Sequence, residues 1–247
     1  MTSVPRAARE RLNRYLAGRG LGSRRSADEL VRAGRVAVNG LRAPPGALVD
    51  ADSDRVTVDG RPVPRAAAAR TLVVNKPVGV VSTRRDPGGR PTVLDLVDDA
   101  AGLLLVGRLD ADSRGLLLLT TDGALAHRLT HPRYQVAKRY RVALGGRASS
   151  RQLRALVAGV ALEDGPARAQ SVGVAERRPA GDVVEMVMTE GRHREVRRLC
   201  AAVGLPVLDL QRTAVGPVRL GRLREGGFRL ATATEMRALR SAGGLDV

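Results

Sequence analysis

Asp110 sits close to Arg108 in the polar loop Gly107-Arg108-Leu109-Asp110-Ala111-Asp112-Ser113-Arg114-Gly115. One apolar run, Leu103 to Val106, leads into it and another, Leu116 to Leu119, leads out. Each run is short and bounded by Gly, which suits a buried strand better than a helix. A carboxylate on a tight loop between two core strands is held rigidly and still reaches a ligand. Loop chemistry alone leaves a second reading open, a turn residue in a partly solvated ion pair.

Two further stretches carry reactive types. In Val136 to Val142, alternation puts Val136, Lys138, Tyr140 and Val142 on one strand face and Ala137, Arg139 and Arg141 on the other. Tyr140 is one of four aromatic residues, with Tyr15, Tyr134 and Phe228. It is either a cross-strand packing residue or a stacking platform for an unstacked base. In Glu190 to Leu199, a strand over Val183–Met188 leads into a helix whose Val196, Leu199, Cys200 and Val203 recur at core spacing up to Gly204. Arg197 and Arg198 border that stripe, and Arg197 shares the adjoining face with His193 and Arg194.

The elements that must position these groups are legible from caps and turns. Leu72 to Val74 form a strand ending at Asn75-Lys76-Pro77, and Asp86-Pro87-Gly88-Gly89 is a turn before a short helix capped by Thr92. Asp122 caps a helix over 124–129. Ser149 or Ser150 caps one with Leu153, Leu156, Val157 and Val160 at core spacing. A strand over 207–210 precedes a last helix with Thr232 and Glu235 as its capping box.

The 247 residues suffice for one large or two smaller domains, and the net charge of +17 with a pI near 11.5 favours a polyanionic partner, most simply nucleic acid. Of 42 basic residues only Lys76 and Lys138 are Lys. Arg grips phosphate in bidentate fashion and stacks on bases, which suits RNA; a GC-rich genome gives the same bias, and both apply. Cys200 stands alone, which excludes a disulfide framework and a Cys-based metal site. His127, His131 and His193 lack metal-ligand spacing, so no metal and no other cofactor is expected. No apolar run approaches the roughly 18 residues that span a bilayer, so a soluble, cytoplasmic protein without a membrane partner is expected, and a monomer.

Residues 1–42 carry ten Arg against three acidic residues, a net of +7, whereas 43–70 balance. Leu12, Tyr15 and Leu16 mark one helix, and Ser23 caps a second, with Ser26 and Glu29 as a rival capping box. Arg24 and Arg25 fall in its first turn, unfavourable for the helix dipole unless phosphate docks there. Asn39-Gly40 and Asp59-Gly60 follow alternating Val residues as two-residue hairpin turns. Residues 61–70, with two Pro and four Ala, read as a semi-rigid tether whose Ala run fits one helical turn.

These motifs carry a resemblance. GRLDADSRGLLLLTTDG resembles the signature of the RsuA/RluB-type ribosomal RNA pseudouridine synthases, whose Asp in GRLD is the nucleophile; the resemblance implies Asp110. NKPVGVVSTRRDPGGRPTVLDL resembles the family's first motif and makes Lys76 a structural or RNA-contacting candidate. HPRYQVAKRYRV resembles the segment whose Tyr stacks on the target uracil, here Tyr140. EGRHREVRRL resembles the third motif, EGRNRQVRRM, with His193 and Glu195 departing from it. The resemblance implies that Arg197, by its position in this motif, is the Arg that pairs with the nucleophile.

RLNRYLAGRGLGSRRSADELVRAGRVAVNG resembles the S4 RNA-binding module. The domains implied are an S4 domain over 9–60, a linker over 61–70 and a catalytic domain over 71–245. The fold class is α+β, with a mixed, mainly antiparallel sheet and flanking helices. Expected RNA contacts are Arg108, Lys76, Arg11, Arg24, Arg25, Arg35, Asn39, Arg192 and Arg194. The implied activity is site-specific conversion of uridine to pseudouridine in 23S ribosomal RNA, as in the RluB branch, on a flipped-out uridine and without a cofactor. Alternatives are a 16S enzyme of the RsuA kind and a non-catalytic S4-type assembly factor. The partner the resemblance implies is ribosomal RNA or a ribosome assembly intermediate.

Overall fold

The computed structural model describes residues 9–64 and 68–245. It divides into two compact units, Met1–Ala69 and Arg70–Val247.

The first unit opens with β1 (Glu10–Arg11), α1 (Leu12–Ala17) and α2 (Arg24–Arg32). It continues through β2 (Val36–Val38), β3 (Leu41–Arg42), β4 (Leu48–Val49), β5 (Val56–Val58) and β6 (Arg61–Pro62). Ser23 caps α2: its hydroxyl accepts from the Ser26 amide at 3.1 Å, and the Ser26 hydroxyl accepts from the Ser23 amide at 2.7 Å. The rival box at Ser26 and Glu29 is therefore not used. Asn39 and Asp59, each followed by a positive-φ Gly, have φ of 53° and 50°, the left-handed geometry of tight hairpin turns. The resulting sheet has the order β3-β2-β5-β6. Leu12, Tyr15 and Leu16 pack with Ala27, Val31, Val36 and Val56 to make a core of its own. The expected tether starts later than residue 61, because Arg61 and Pro62 pair with β5. The Ala run begins within 65–67, which lie outside the described residues.

The second unit contains β7 (Thr71–Lys76), β8 (Leu104–Val106), β9 (Arg114–Thr120), α3 (Gly123–Thr130) and β10 (Lys138–Leu144). Then come α4 (Ser150–Ala158), β11 (Val160–Leu162), β12 (Gly165–Ala167), β13 (Ser171–Arg178) and β14 (Gly181–Met188). The chain ends with α5 (Glu195–Ala202), β15 (Val207–Val215), β16 (Val218–Arg219), β17 (Phe228–Leu230) and α6 (Ala233–Ala242). The main sheet runs β13-β14-β10-β15-β9-β7-β17, with β8 added to β9 and β16 to β15. Among the described strands of this sheet only β9 and β15 pair in parallel, so the sheet is mixed and mainly antiparallel, as expected.

The continuous Leu run of β9 follows from burial on both faces. Leu116 and Leu118 pack with Leu125 and Leu129 of α3 and Leu239 of α6. Leu117 and Leu119 pack with Val74, Val93 and Leu103. A third cluster joins Tyr140 and Val142 of β10 to Leu156 of α4 and to Val196, Leu199 and Cys200 of α5. The expected caps are present: Asp122 accepts from the Ala124 and Leu125 amides, Ser149 from Gln152, and Thr232 from Glu235. In α4, however, Val157 is 39 % exposed, and Val160 already belongs to β11. The strand expected over 207–210 runs on to Val215, through polar residues that hide it from an apolar-pattern reading.

The β9–β15 junction depends on one residue. Gly115 lies opposite Arg212 and has φ of +106°. A Cβ there would lie 2.3 Å from the Arg212 carbonyl oxygen and 2.8 Å from its amide nitrogen, main-chain atoms that cannot swing away. Gly115→Ala combines a strained backbone with overpacking. It is expected to lower stability by about 3 kcal/mol, read as a lower urea midpoint at unchanged slope.

Candidate active site

The polar loop closes over an open pocket of about 210 Å³. Asp110, Arg108, Tyr140, Lys138, Arg194 and Arg212 are among its lining. Strand alternation delivers Tyr140 and Lys138, which point inward on β10 while Arg139 and Arg141 stay exposed. Tyr140 is 7 % exposed, and its side chain makes no hydrogen bond among the described residues, which leaves its ring as a wall of the pocket.

Asp110 is half-buried at the turn, and its carbonyl accepts from the Ser113 amide at 3.0 Å. Its carboxylate has no hydrogen bond or ion pair among the described residues. It is near enough to Lys76 and Arg194 to favour their charged forms. The structure thus brings Asp110 and Tyr140 to one pocket.

Arg197 is placed differently from the expectation. Its ion pair is with Asp112, at 3.4 Å, rather than with Asp110. It also donates to the Asp112 carbonyl at 2.9 Å, the Ser113 hydroxyl at 3.4 Å and the Val207 carbonyl at 3.2 Å. Asp112 reaches the start of α5, where Arg194 donates to it at 2.7 Å and, with Arg197, holds its carboxyl below the usual range. Two of the motif's four arginines, Arg194 and Arg197, therefore fasten the loop beyond Asp110.

Several expected RNA contacts are spent inside the protein. Lys76 is 0 % exposed and donates to the Pro77 and Val80 carbonyls at 2.8 and 2.7 Å, so it holds the turn after β7 rather than RNA. Arg192 binds Glu195 and the Asp164, Gly165 and Pro166 carbonyls, tying the third motif to the β11–β12 turn. Glu195, the departure from Gln, is buried and also accepts from the Arg192 amide at 3.0 Å. Asn39 bridges the two hairpins, donating to Asp54 and accepting from the Arg55 amide. Arg35 pairs with Asp59 across the same sheet. Arg11, Arg24, Arg25 and Arg108 remain exposed with no side-chain partner among the described residues, as phosphate contacts require.

Two pocket residues escaped the sequence reading. Lys138 is buried and makes only long hydrogen bonds, 3.4 and 3.5 Å, to the Val136 and Glu190 carbonyls. Its rarity was the available signal, because both lysines of this Arg-rich chain lie in the site region. Arg212 is 2 % exposed and occupies an inward slot of β15 between the buried Leu210 and Ala214. A charged residue in an inward strand position was the signal there. Cys200 is a core residue, its thiol pushed up to about 12 by burial and so unreactive. No cluster of metal-ligating side chains occurs among the described residues, and no helix of them is long and apolar enough to cross a membrane.

Burial lowers Lys76 and Lys138 from 10.5 to about 8. A folded value below the unfolded one means that folding expels a proton between these limits. Stability is therefore expected to rise as pH rises from about 8 to about 10.5. For Lys76 the gain is on the order of 3 kcal/mol. Urea midpoints from pH 7 to 10 check this, since Lys76→Met should remove its share of the rise.

A family model described as RNA pseudouridylate synthase matches residues 70–202, and an S4 domain model matches 10–54. The chain is 41 % identical over 254 residues to an uncharacterized RNA pseudouridine synthase of Mycobacterium tuberculosis, covering 99 % of this chain and 100 % of that one. It is 43 % identical to the ribosomal large subunit pseudouridine synthase B of Vibrio cholerae, over 89 % of this chain and 70 % of that protein. A crystal structure of a pseudouridylate synthase superposes with a TM-score of 0.67 at 30 % identity, covering 93 % and 99 % of the two chains. The loop with its free carboxylate, the tyrosine wall and the small basic unit thus fall within regions these proteins share, and the chain belongs to the RNA pseudouridine synthases that carry an S4 domain.

Proposed function

We propose that this enzyme converts one uridine of large-subunit ribosomal RNA to pseudouridine, with Asp110 as nucleophile on a nucleotide turned out of its stack. The observation that carries the reading is the unpartnered Asp110 carboxylate in the same pocket as the Tyr140 ring. The large-subunit assignment is supported by relatives in Vibrio cholerae and Pseudomonas aeruginosa named ribosomal large subunit pseudouridine synthase B.

The reaction breaks the bond from N1 to C1′, turns the uracil and joins C5 to C1′. C5 loses a proton and N1 gains one, so the product is an isomer and nothing is oxidised or added. A base in a helix hides C1′ and its own edges, so the nucleotide must leave the stack. Tyr140 offers the flat surface that receives it. Asp110 acts as the carboxylate, and Lys76 and Arg194 are cations near enough for its charge to favour their protonated forms. Arg108, exposed at the rim, meets the backbone of the displaced nucleotide. The exposed Arg11, Arg24 and Arg25 add affinity without rate. The substrate is ribosomal RNA, free or within an assembly intermediate.

Asp110→Asn is expected to fold and bind RNA but form no pseudouridine. A map of ribosomal RNA by carbodiimide labelling and primer extension checks this in cells with and without the gene. One site should vanish and return with the wild type but not with Asp110→Asn. Retained turnover by Asp110→Asn would remove the nucleophile, and a wild type inactive on both ribosomal RNAs and on assembly intermediates would favour a binding protein. Deleting residues 1–60 is expected to weaken RNA binding and flatten its salt dependence by about 0.7 for each phosphate no longer neutralised, measured as the slope of log affinity against log salt.

A further inference from the structure

The Asp110 carboxylate has no side-chain partner, so its place is set by the main chain that carries it. That main chain is held from several directions. Arg212 Nε donates to the Leu116 carbonyl at 2.7 Å and an Nη to the Arg108 carbonyl at 3.2 Å, so one guanidinium spans both arms of the loop. Between those arms the Ser82 hydroxyl donates to the Leu109 carbonyl at 2.7 Å and accepts from the Leu109 amide at 3.0 Å. The Gly79 amide holds the Ala111 carbonyl at 2.7 Å.

We infer that Arg212 and Ser82 are positioning residues for the isomerisation: by gripping the main chain of the two residues before Asp110, they aim its carboxylate at the reacting base. The inference rests on Asp110 being the nucleophile. Burying a guanidinium is costly unless its donors are met, and here the second Nη is buried without a hydrogen-bond partner. An apolar side chain would serve packing better. What it could not do is reach two carbonyls eight residues apart, which needs the planar fork of Arg; Lys offers one point charge and no fork. Ser82 acts at a separate residue of the loop, so the two grips are independent handles on one carboxylate. A displacement of 1 Å at a reacting group costs about 100-fold in rate, so loosening either grip falls on turnover and spares affinity.

The test compares Arg212→Lys, Arg212→Met, Ser82→Ala and Ser82→Thr with the wild-type protein on the mapped RNA. Measured are kcat, KM, Tm and amide hydrogen exchange of peptides covering 107–116. Arg212→Lys is expected to lose about 100-fold in kcat and Ser82→Ala about 10-fold, with KM within about threefold. Exchange should quicken in the loop and stay unchanged in β14. Ser82→Thr keeps the hydroxyl and should retain kcat within about threefold. If both Arg212 variants fail to fold, the Ser82 pair decides. Full kcat in Arg212→Lys, loop exchange unchanged in Ser82→Ala, or Ser82→Thr as slow as Ser82→Ala would each overturn the positioning role. Asp110→Asn is run in parallel: if it turns over, the nucleophile itself is wrong, and that failure is distinguishable from a clamp that does not hold.

Discussion

The close approach of β15 to Gly115 is the constraint on which the site depends. The two strands run parallel only there, and the absent Cβ lets the Arg212 main chain lie against β9. That approach brings the Arg212 side chain within reach of the Leu116 and Arg108 carbonyls. In antiparallel register with β10, the same residue lies beside Tyr140. One steric allowance therefore places the residue that grips the Asp110 loop and the strand that presents the ring opposite it. Sequence, register and site geometry are joined at a residue with no side chain.

The loop shows why a reactive group can be left without partners. A carboxylate paired to a neighbouring Arg would be well oriented but engaged, and it would have to shed that partner before meeting substrate. Here the orienting contacts fall on the main chain, and the ion-paired arginines, Arg194 and Arg197, fall on Asp112. Asp112 takes the Arg197 partner that positional analogy gives to Asp110, and it fastens the loop to α5. The two acids lie two residues apart in one turn, and their partners separate an anchoring group from a reacting one. Leu109, just before Asp110, adds an apolar anchor by packing into the cluster that holds Tyr140.

What the sequence showed and hid follows from how local each signal is. Hairpin turns at Asn39-Gly40 and Asp59-Gly60, caps at Asp122 and Thr232, and the apolar stripe of α5 depend on a few adjacent residues, and all are present. Asp110 and Tyr140, each in an unbroken motif, do line one pocket. The partners of charged side chains were not legible. Arg192, Arg35 and Asn39 look like free surface groups in a basic sequence, yet each is used by a carboxylate or carbonyl distant along the chain. Arg212 was hidden for a related reason: its carbonyl partners, at 108 and 116, are about 100 residues upstream, and main-chain acceptors leave no trace in residue type.

The two lysines separate chemical need from composition. Compositional bias accounts for an Arg-rich surface, and it predicts Arg at 76 and 138 as well. Position 76 offers two carbonyl acceptors, at 2.8 and 2.7 Å, and no contact with solvent. A guanidinium there would bring five donors to two acceptors, each unmet donor costing about 1–3 kcal/mol. An ammonium brings three and can also give up its proton, as the value near 8 indicates. Position 76 thus suits a compact ammonium with few donors, while the two loop arms take the wide fork of a guanidinium. Lys76 and Arg212 meet these needs in that order, and an exchange of the two residue types would fail at both positions for opposite reasons.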